Sequence, residues 1–169
     1  ENFYRMQDDN LICWGGLTAG DWQYIGSQGV IQGTYEIFSR IAERHFDNDL
    51  RGRFILTAGM GGMGGAQPLA GRMANAAILT VEIDPERIEK RIKAGFLECR
   101  ADSLDEALAL IRDAQAARRP LSVGLLGNAA DVYPEILARG IVPDIVTDQT
   151  SAHDLVYGYI PKGMSLDEV

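Results

Sequence analysis

The sequence is poor in the residues that build metal centres and disulfide frameworks. Among its 169 residues only two are cysteine and two are histidine. Cys13 and Cys99 form neither a C-x-x-C pair nor a disulfide framework, so we expect both thiols to be free. With so few histidines we expect no zinc site and no other metal site.

A long apolar run and an excess of basic residues are also missing. No stretch approaches the roughly 20 apolar residues of a membrane span, and residues 1–10 are too polar for a signal peptide. Lysine and arginine total 16 against 24 acidic residues, a formal net charge of −8. A nucleic-acid backbone would be repelled by this charge. We therefore expect a soluble, cytoplasmic globular protein with neither a membrane nor a nucleic acid as its partner.

The most informative feature present is a glycine-rich stretch at residues 56–68, LTAGMGGMGGAQP. A strand predicted over residues 53–58 leads into it, and a helix predicted over residues 66–75 follows. Gly59, Gly61 and Gly64 have the G-x-G-x-x-G spacing of a dinucleotide-binding turn. Glycines let the backbone turn tightly and let a diphosphate approach its N–H groups. A glycine loop without a ligand is the alternative, but the flanking strand and helix favour the dinucleotide site.

Strands and helices alternate along the rest of the chain. Further strands are predicted at residues 77–83, 121–126 and 144–147. Helices are predicted at residues 29–46, 85–94, 104–119 and 131–139. This alternation is typical of an α/β protein, and predicts a Rossmann-like three-layer domain with a parallel sheet and helices on both faces. Residues 1–33 differ from the rest, because the part before the helix is rich in glycine and aromatics. That part is expected to form close backbone packing or a ligand-facing loop rather than regular structure.

Ligands of open α/β sheets bind beyond the carboxyl ends of the strands, and this rule selects four segments. After the glycine turn come Glu82 with Arg87, then Asn128 with Ala129, and finally the polar run Gln149, Thr150, Ser151, Ala152 and His153. Glu82 follows the turn by about 20 residues, where an acid usually binds the adenine ribose. A carboxylate there would repel a 2′-phosphate, so NAD is expected rather than NADP.

Each of these residues also has a purely structural interpretation. Glu82 can be an ordinary strand-end carboxylate. Arg87 can reach the adenine or a phosphate, or pair with Glu82 or Glu86. Asn128 can meet the nicotinamide-side ribose or cap the next helix. His153 can act as a general base or bind the cofactor by a hydrogen bond.

Four motifs together resemble those of urocanate hydratase (urocanase). They are the glycine-rich stretch, YIGSQG at residues 24–29, GLLGNAA at residues 124–130 and TDQTSAHD at residues 147–154. The resemblance covers nearly the whole chain, whereas full-length members of the family are considerably longer. It implies a flanking core segment at residues 1–33, an NAD-binding Rossmann-like domain at residues 34–153 and an exit linker at residues 154–169. This segment alone is expected to be inactive.

The resemblance also implies an activity that the glycine fingerprint does not. A Rossmann turn with a ribose acid ordinarily indicates an NAD-dependent dehydrogenase, and a free-standing NAD-binding module is a further alternative. Urocanase is instead a lyase of histidine catabolism, which adds water to urocanate to give imidazolone propionate. Its tightly bound NAD+ serves as an electrophile without net redox change. Members of the family are expected to be homodimers.

Site residues follow from the resemblance as well. The implied cofactor contacts are Gly62, Met63, Gly64, Glu82, Arg87, Asn128, Ala129, Gln149, Thr150, Ser151, Ala152, His153, Tyr159 and Ile160. The resemblance also implies that the family's catalytic cysteine lies in a later segment. Neither Cys13 nor Cys99 lies in a matching motif, so the catalytic residues stay unassigned.

One motif departs from the family pattern. The family's G-Q-M-T-A-G-S reads GGLTAGD here, at residues 15–21, so Gly16 replaces a glutamine that is expected to touch the cofactor. This departure makes a hydratase acting on a modified urocanate an alternative. Thr18 is the candidate for a substrate contact.

Overall fold

The computed structural model describes residues 2–9, 11, 27–148 and 160–168. Its α-helices are α1 (Asn2–Asp8), α2 (Gln28–His45), α3 (Gln67–Met73), α4 (Pro85–Lys93), α5 (Leu104–Ala116) and α6 (Ala129–Ala138). Its strands are β1 (Phe54–Ala58), β2 (Ala77–Glu82), β3 (Cys99–Ala101), β4 (Leu121–Leu126) and β5 (Ile145–Val146). Short 3₁₀ helices lie at Gly64–Ala66 and Leu166–Glu168.

The five strands form one parallel sheet in the order β3-β4-β2-β1-β5. Strand β1 pairs with β2 on one side, where Leu56 lies opposite Leu79. On its other side β1 pairs with β5, where Leu56 lies opposite Val146. The chain therefore moves away from β1 in both directions. Such a reversal opens a crevice at the carboxyl ends of the two strands, where α/β proteins bind their ligands.

Both faces of the sheet are covered by helices. On one face α5 and α6 pack against alternate strand residues, through Leu108, Ile111 and Ile136 among others. On the opposite face α2 and α3 cover Ile55 and Ile78. Helix α4 contributes Ile88, which packs with Met60 and Leu97. The α/β architecture predicted from the sequence, a parallel sheet between two helical layers, is confirmed.

Local signals in the sequence fix where three of the six described α-helices, α4, α5 and α6, begin. The Ser103 hydroxyl accepts a hydrogen bond from the Glu106 N–H (3.2 Å), and the Glu106 carboxylate accepts one from the Asp102 N–H (2.8 Å). The Ser103 bond is the first half of a capping box, whereas the Glu106 carboxylate reaches one residue beyond the cap to Asp102. Asp84 caps α4 by accepting from the Glu86 N–H at 2.9 Å, with proline at the first helical position.

Some sequence expectations were wrong in detail. Irregular structure was expected before residue 29, whereas α1 forms at Asn2–Asp8. Helix α2, predicted from residue 29, begins one residue earlier at Gln28. Strand β3 was not predicted, so residues 121–126 form the fourth strand rather than the third. Helix α6 begins at Ala129, two residues earlier than predicted, because Asn128 is its cap.

Helix α2 runs across the division proposed between residues 33 and 34, and the division into segments stays a prediction. Within the described residues, no helix is long and apolar enough to cross a membrane.

Because β2 is the central strand, we expect a leucine in it to contribute far more to the free energy of unfolding than an exposed leucine does. Leu79 is 0% exposed in the sheet, whereas Leu137 on α6 is 68% exposed. We expect Leu79→Ala to lower the free energy of unfolding by about 2–5 kcal/mol, because it removes buried methyl groups and leaves a cavity. The same change at Leu137 should cost less than about 1 kcal/mol. Urea denaturation of both variants measures the difference, and equal losses would contradict the assigned core.

Candidate functional site

The glycine turn begins directly at the end of β1. Gly59 has φ +84°, a left-handed conformation that disfavours any other residue. Its N–H donates to the Val81 carbonyl at 2.8 Å, which holds the start of the turn against β2. Further on, the Gly65 N–H donates to the Gly61 carbonyl (3.0 Å), so the turn closes on itself before α3.

The middle of this turn presents unused hydrogen-bond donors. The N–H groups of Gly61, Gly62, Met63 and Gly64 donate to no acceptor among the residues that the structure describes. Gly62 is exposed, and a Cβ built on it would meet no atom within 4 Å in the described part of the chain. Successive backbone N–H groups in such a turn make an anion-binding concavity. The backbone geometry at residues 61–64 suits an anion such as a diphosphate, and the binding role of Gly59, Gly61, Gly62, Met63 and Gly64 stays a prediction.

Glu82 lies beneath the turn, with only 3% of its surface exposed. One carboxylate oxygen accepts a hydrogen bond from the Met60 N–H at 2.5 Å. The other accepts one from the Asp84 N–H at 3.0 Å. A carboxylate has about four acceptor positions, so these bonds leave acceptor capacity for a ribose hydroxyl. Glu82 is therefore a structural tie between two strand-end loops, a role that sequence reasoning missed.

Arg87 lies beside the same turn. Its Nε is 3.4 Å from Asp84 Oδ2, and its Nη1 is 4.0 Å from Glu82 Oε1. Nη1 also lies 3.8 Å from the position that a Cβ on Gly61 would take. Of the pairings considered, the one with Glu82 is present at the limit of ion-pair distance. None with Glu86 occurs within the described residues, and Asp84 is the nearer partner.

At the end of β4, the side chain of Asn128 caps α6. Its Oδ1 accepts a hydrogen bond from the Ala130 N–H at 2.9 Å. The neighbouring Gly127 N–H donates to the Glu82 carbonyl at 2.9 Å, which joins this loop to the end of β2. The Asn128 amide NH₂ has no partner in the described part of the chain. Capping and ligand binding are therefore compatible for Asn128, and Ala129 begins the helix beside it.

The fourth segment begins at the crevice between β1 and β5. The Thr147 N–H donates to the Leu56 carbonyl at 3.0 Å, so the chain leaves β5 next to the glycine turn. Ile160 is partly buried. Two residues further on, Lys162 forms an ion pair with Asp131 in the first turn of α6. Thr18, Gln149, Thr150, Ser151, Ala152, His153 and Tyr159 lie outside the described residues.

Arg91 forms hydrogen bonds with two carbonyls of the turn. The sequence analysis did not select this residue. Its Nε donates to the Met60 carbonyl at 3.1 Å, and its Nη2 donates to the Gly61 carbonyl at 2.6 Å. Burial and the nearby Arg87 lower the pKa of Arg91, whereas Glu82 acts in the opposite direction. One signal was available in the sequence, because Arg91 follows Arg87 by four residues on α4 and so shares its helix face.

Metal-ligating side chains are not gathered at this site. No group of three or more histidine, cysteine, aspartate or glutamate residues suited to a metal ion occurs within the described residues. Cys99 is a free thiol in β3, and burial raises its pKa. Cys13 lies outside the described residues.

A parallel sheet with an open glycine turn after β1 is the geometry of a known domain family. Residues 26–169 match the family described as the urocanase Rossmann-like domain. The chain belongs to the urocanase family. The resemblance inferred from the four sequence motifs is confirmed, and so is the Rossmann-like fold. The match to the urocanase family also includes the whole of α2.

Among solved structures, a more distant likeness is to L-tryptophan dehydrogenase from Nostoc punctiforme. The sequences are 11% identical, the TM-score is 0.32, and the match covers 70% of this chain. The chain spans 40% of the length of that enzyme. A likeness this weak has no bearing on the function of the urocanase domain.

The bonds of Glu82 predict a stability effect that is independent of any ligand. Glu82→Ala would leave the buried Met60 N–H without an acceptor, so we expect the free energy of unfolding to fall by about 1–3 kcal/mol. Glu82→Gln keeps one oxygen and should lose less. Glu36→Ala, at an exposed position of α2, is the matched control and should change stability by less than about 0.5 kcal/mol. Urea denaturation without nucleotide measures all three, and a stable Glu82→Ala variant would show that the tie is dispensable.

Proposed function

We propose that this domain binds NAD+ at the carboxyl edge of its sheet, as the cofactor-holding part of a urocanate hydratase. The observation that carries the proposal is the run of four N–H groups at residues 61–64, beside the crevice between β1 and β5, which have no acceptor among the described residues. Free donors in this position suit the diphosphate of a dinucleotide. Membership of the urocanase family supports NAD+ as that dinucleotide.

Local charge supports an anionic ligand although the chain is acidic overall. Its net charge is −8, yet Arg87 and Arg91 both lie against the glycine turn. Opposite charge close to a partly desolvated site attracts an anion far more strongly than distant surface charge repels it. The turn is therefore the place on the described surface where we expect the diphosphate.

We expect the other parts of the dinucleotide, the two riboses and the nicotinamide, to contact successive strand ends. Glu82 would bind the adenine ribose, and its charge would disfavour a 2′-phosphate. Asn128 and Ala129 would face the nicotinamide-side ribose. Gln149, Thr150, Ser151, Ala152, His153, Tyr159 and Ile160 would complete the site, with Thr18 on the substrate side. We assign all these residues to binding and orientation, and none to an acid–base step.

When bound, NAD+ would supply an electron-poor nicotinamide ring that draws electron density from the imidazole of urocanate. The site would hold and orient this ring by fixing the diphosphate and the riboses. We propose that the product is imidazolone propionate, formed by addition of water during histidine degradation. A homodimer in the cytoplasm is part of the same proposal.

An absorbance assay separates this function from its alternatives. The protein at its natural length is incubated with urocanate without added nucleotide, and the ultraviolet absorbance of urocanate is followed. Loss of absorbance without formation of NADH is the expected result. Growth of the NADH band with a hydroxy acid would instead indicate a dehydrogenase. Bound NAD+ without either reaction would indicate a binding module or a hydratase of a modified urocanate.

Gly62 offers a test of the cofactor site that leaves the fold intact. A methyl group at Gly62 meets no atom of the described residues within 4 Å, so we expect Gly62→Ala to fold normally. The methyl would occupy space beside the free N–H groups, and we expect NAD+ affinity to fall about tenfold or more, which corresponds to about 1.4 kcal/mol. Isothermal titration calorimetry with NAD+ measures the effect.

The matched control is Gly33→Ala in α2. Among the residues that the structure describes, a Cβ on Gly33 also meets nothing within 4 Å, but Gly33 lies on a helix away from the turn. This variant should bind NAD+ like the wild type. Unchanged affinity in Gly62→Ala would remove the glycine turn from the cofactor site.

A further inference from the structure

Two observations concern the side of the glycine turn that faces Arg91, which lies opposite its open side. The first is the bidentate grip of Arg91 on the carbonyls of Met60 and Gly61, at 3.1 and 2.6 Å. The second concerns Gly65, which is buried and does not have a positive φ. A Cβ on Gly65 would lie 2.2 Å from Arg91 Nε and 2.3 Å from its Cζ.

The two hydrogen bonds from Arg91 determine the direction in which the N–H groups of the turn point. In a trans peptide the carbonyl and the following N–H point in opposite directions, and no peptide bond within the described residues is cis. Because the Met60 and Gly61 carbonyls are held towards Arg91, the N–H groups of Gly61 and Gly62 are turned to the other side. That side is the open side of the turn.

Gly65 has no conformational reason to be a glycine. Its backbone lies outside the left-handed region, so another residue would be tolerated there on grounds of φ alone. The space that its side chain would need is taken by the guanidinium of Arg91. An alanine at Gly65 would have to displace that guanidinium from the two carbonyls.

We propose that Arg91 is a positioning residue of the diphosphate site, and that Gly65 is a glycine because Arg91 occupies the space beside it. The proposal rests on the proposed function, since it assumes that the open N–H groups bind a diphosphate. Arg91 itself does not touch the ligand. It fixes the peptide planes of the turn and places a positive charge beneath them.

The charge of Arg91 is available to an anion on the other side of the turn. Arg91 forms no ion pair in the parts of the chain that the structure describes. Its guanidinium instead lies near the ring of Phe96, 5.5 Å from the centroid. An arginine stays protonated at neutral pH, so its field adds to the donors of the turn.

A double-mutant cycle tests the proposal on the whole chain. We expect Arg91→Met to raise the Kd for NAD+ about 10- to 100-fold, because the turn loses two charge-assisted hydrogen bonds. Gly65→Ala should weaken binding to a similar extent by displacing Arg91. The double variant should bind no more weakly than Arg91→Met, since the methyl group added at Gly65 then has no guanidinium to displace. Arg112→Met, at an exposed arginine of α5, is the matched control and should bind like the wild type.

Two further measurements separate positioning from a loss of folding. ADP and adenosine are titrated against each variant, because only ADP carries the diphosphate. Arg91→Met should weaken ADP binding and leave adenosine binding unchanged, which a general loss of structure would not do. Arg91→Lys keeps the charge without the two-pronged grip, so its Kd for ADP should lie between those of the wild type and Arg91→Met.

The outcomes are distinct. Equal NAD+ affinity of the wild type and Arg91→Met, or fully additive effects of the Arg91 and Gly65 substitutions, would overturn the inference and leave the proposed function standing. Equal losses for ADP and adenosine would also overturn it. A wild-type protein that binds neither NAD+ nor ADP would overturn the proposed function and the positioning role together. The urea stabilities of the four members of the cycle would then still show whether Gly65 accommodates Arg91.

Discussion

The hydrogen bond from the Met60 N–H to the buried carboxylate of Glu82 joins the two halves of the candidate site. It links the turn after β1 to the end of β2. The Met60 side chain in turn packs against Ile88 of α4. Since α4 carries Arg91, the same contact fixes the helix whose guanidinium returns to the turn. The turn, the end of β2 and helix α4 therefore each contact the other parts of the site. The direction of the open N–H groups depends on all of these contacts.

These contacts separate two sets of groups at the turn. The buried Glu82 and the partly buried Arg91 hold its inner surface by hydrogen bonds. The N–H groups of Gly61 and Gly62 are turned to the open side, and Arg87 lies beside them. A site built in this way recognises the charge of a phosphate group through fixed dipoles, which need no rearrangement when the ligand arrives. Discrimination among nucleotides is then left to side chains at the strand ends, such as Glu82 and Asn128.

Much of the fold could be predicted because its elements carry local signals. Strands β1, β2 and β4 are apolar runs between turn residues, and the caps of α4 and α5 are short sequence motifs. Strand β3 lacks such a signal. It has three residues with Arg100 at its centre, and it is held by reciprocal bonds between Glu98 and Ser122, which lie 24 residues apart. A strand stabilised by distant partners leaves no periodic pattern in its own sequence.

The same distinction applies to the candidate site. The donors at residues 61–64 could be predicted because glycine spacing is a local property. The inward direction of Glu82 depends on Met60, 22 residues earlier, and the grip of Arg91 spans 30 residues or more. Asn128 was left with two interpretations, and its cap is present while its amide NH₂ is free of described partners. Contacts between residues so far apart in the sequence could not be predicted, because only the fold brings these residues together at the sheet edge.

The two outermost strands are the shortest in the sheet. Strand β3 has three residues and β5 has two, whereas β2 and β4 at the centre have six each. An unpaired strand edge is a template on which another chain can add a strand, and a longer edge gives a better template. Within the described residues, this sheet ends in edges too short to recruit a neighbour. The arrangement protects the molecule from aggregation through its flanks and keeps the long, apolar strands enclosed.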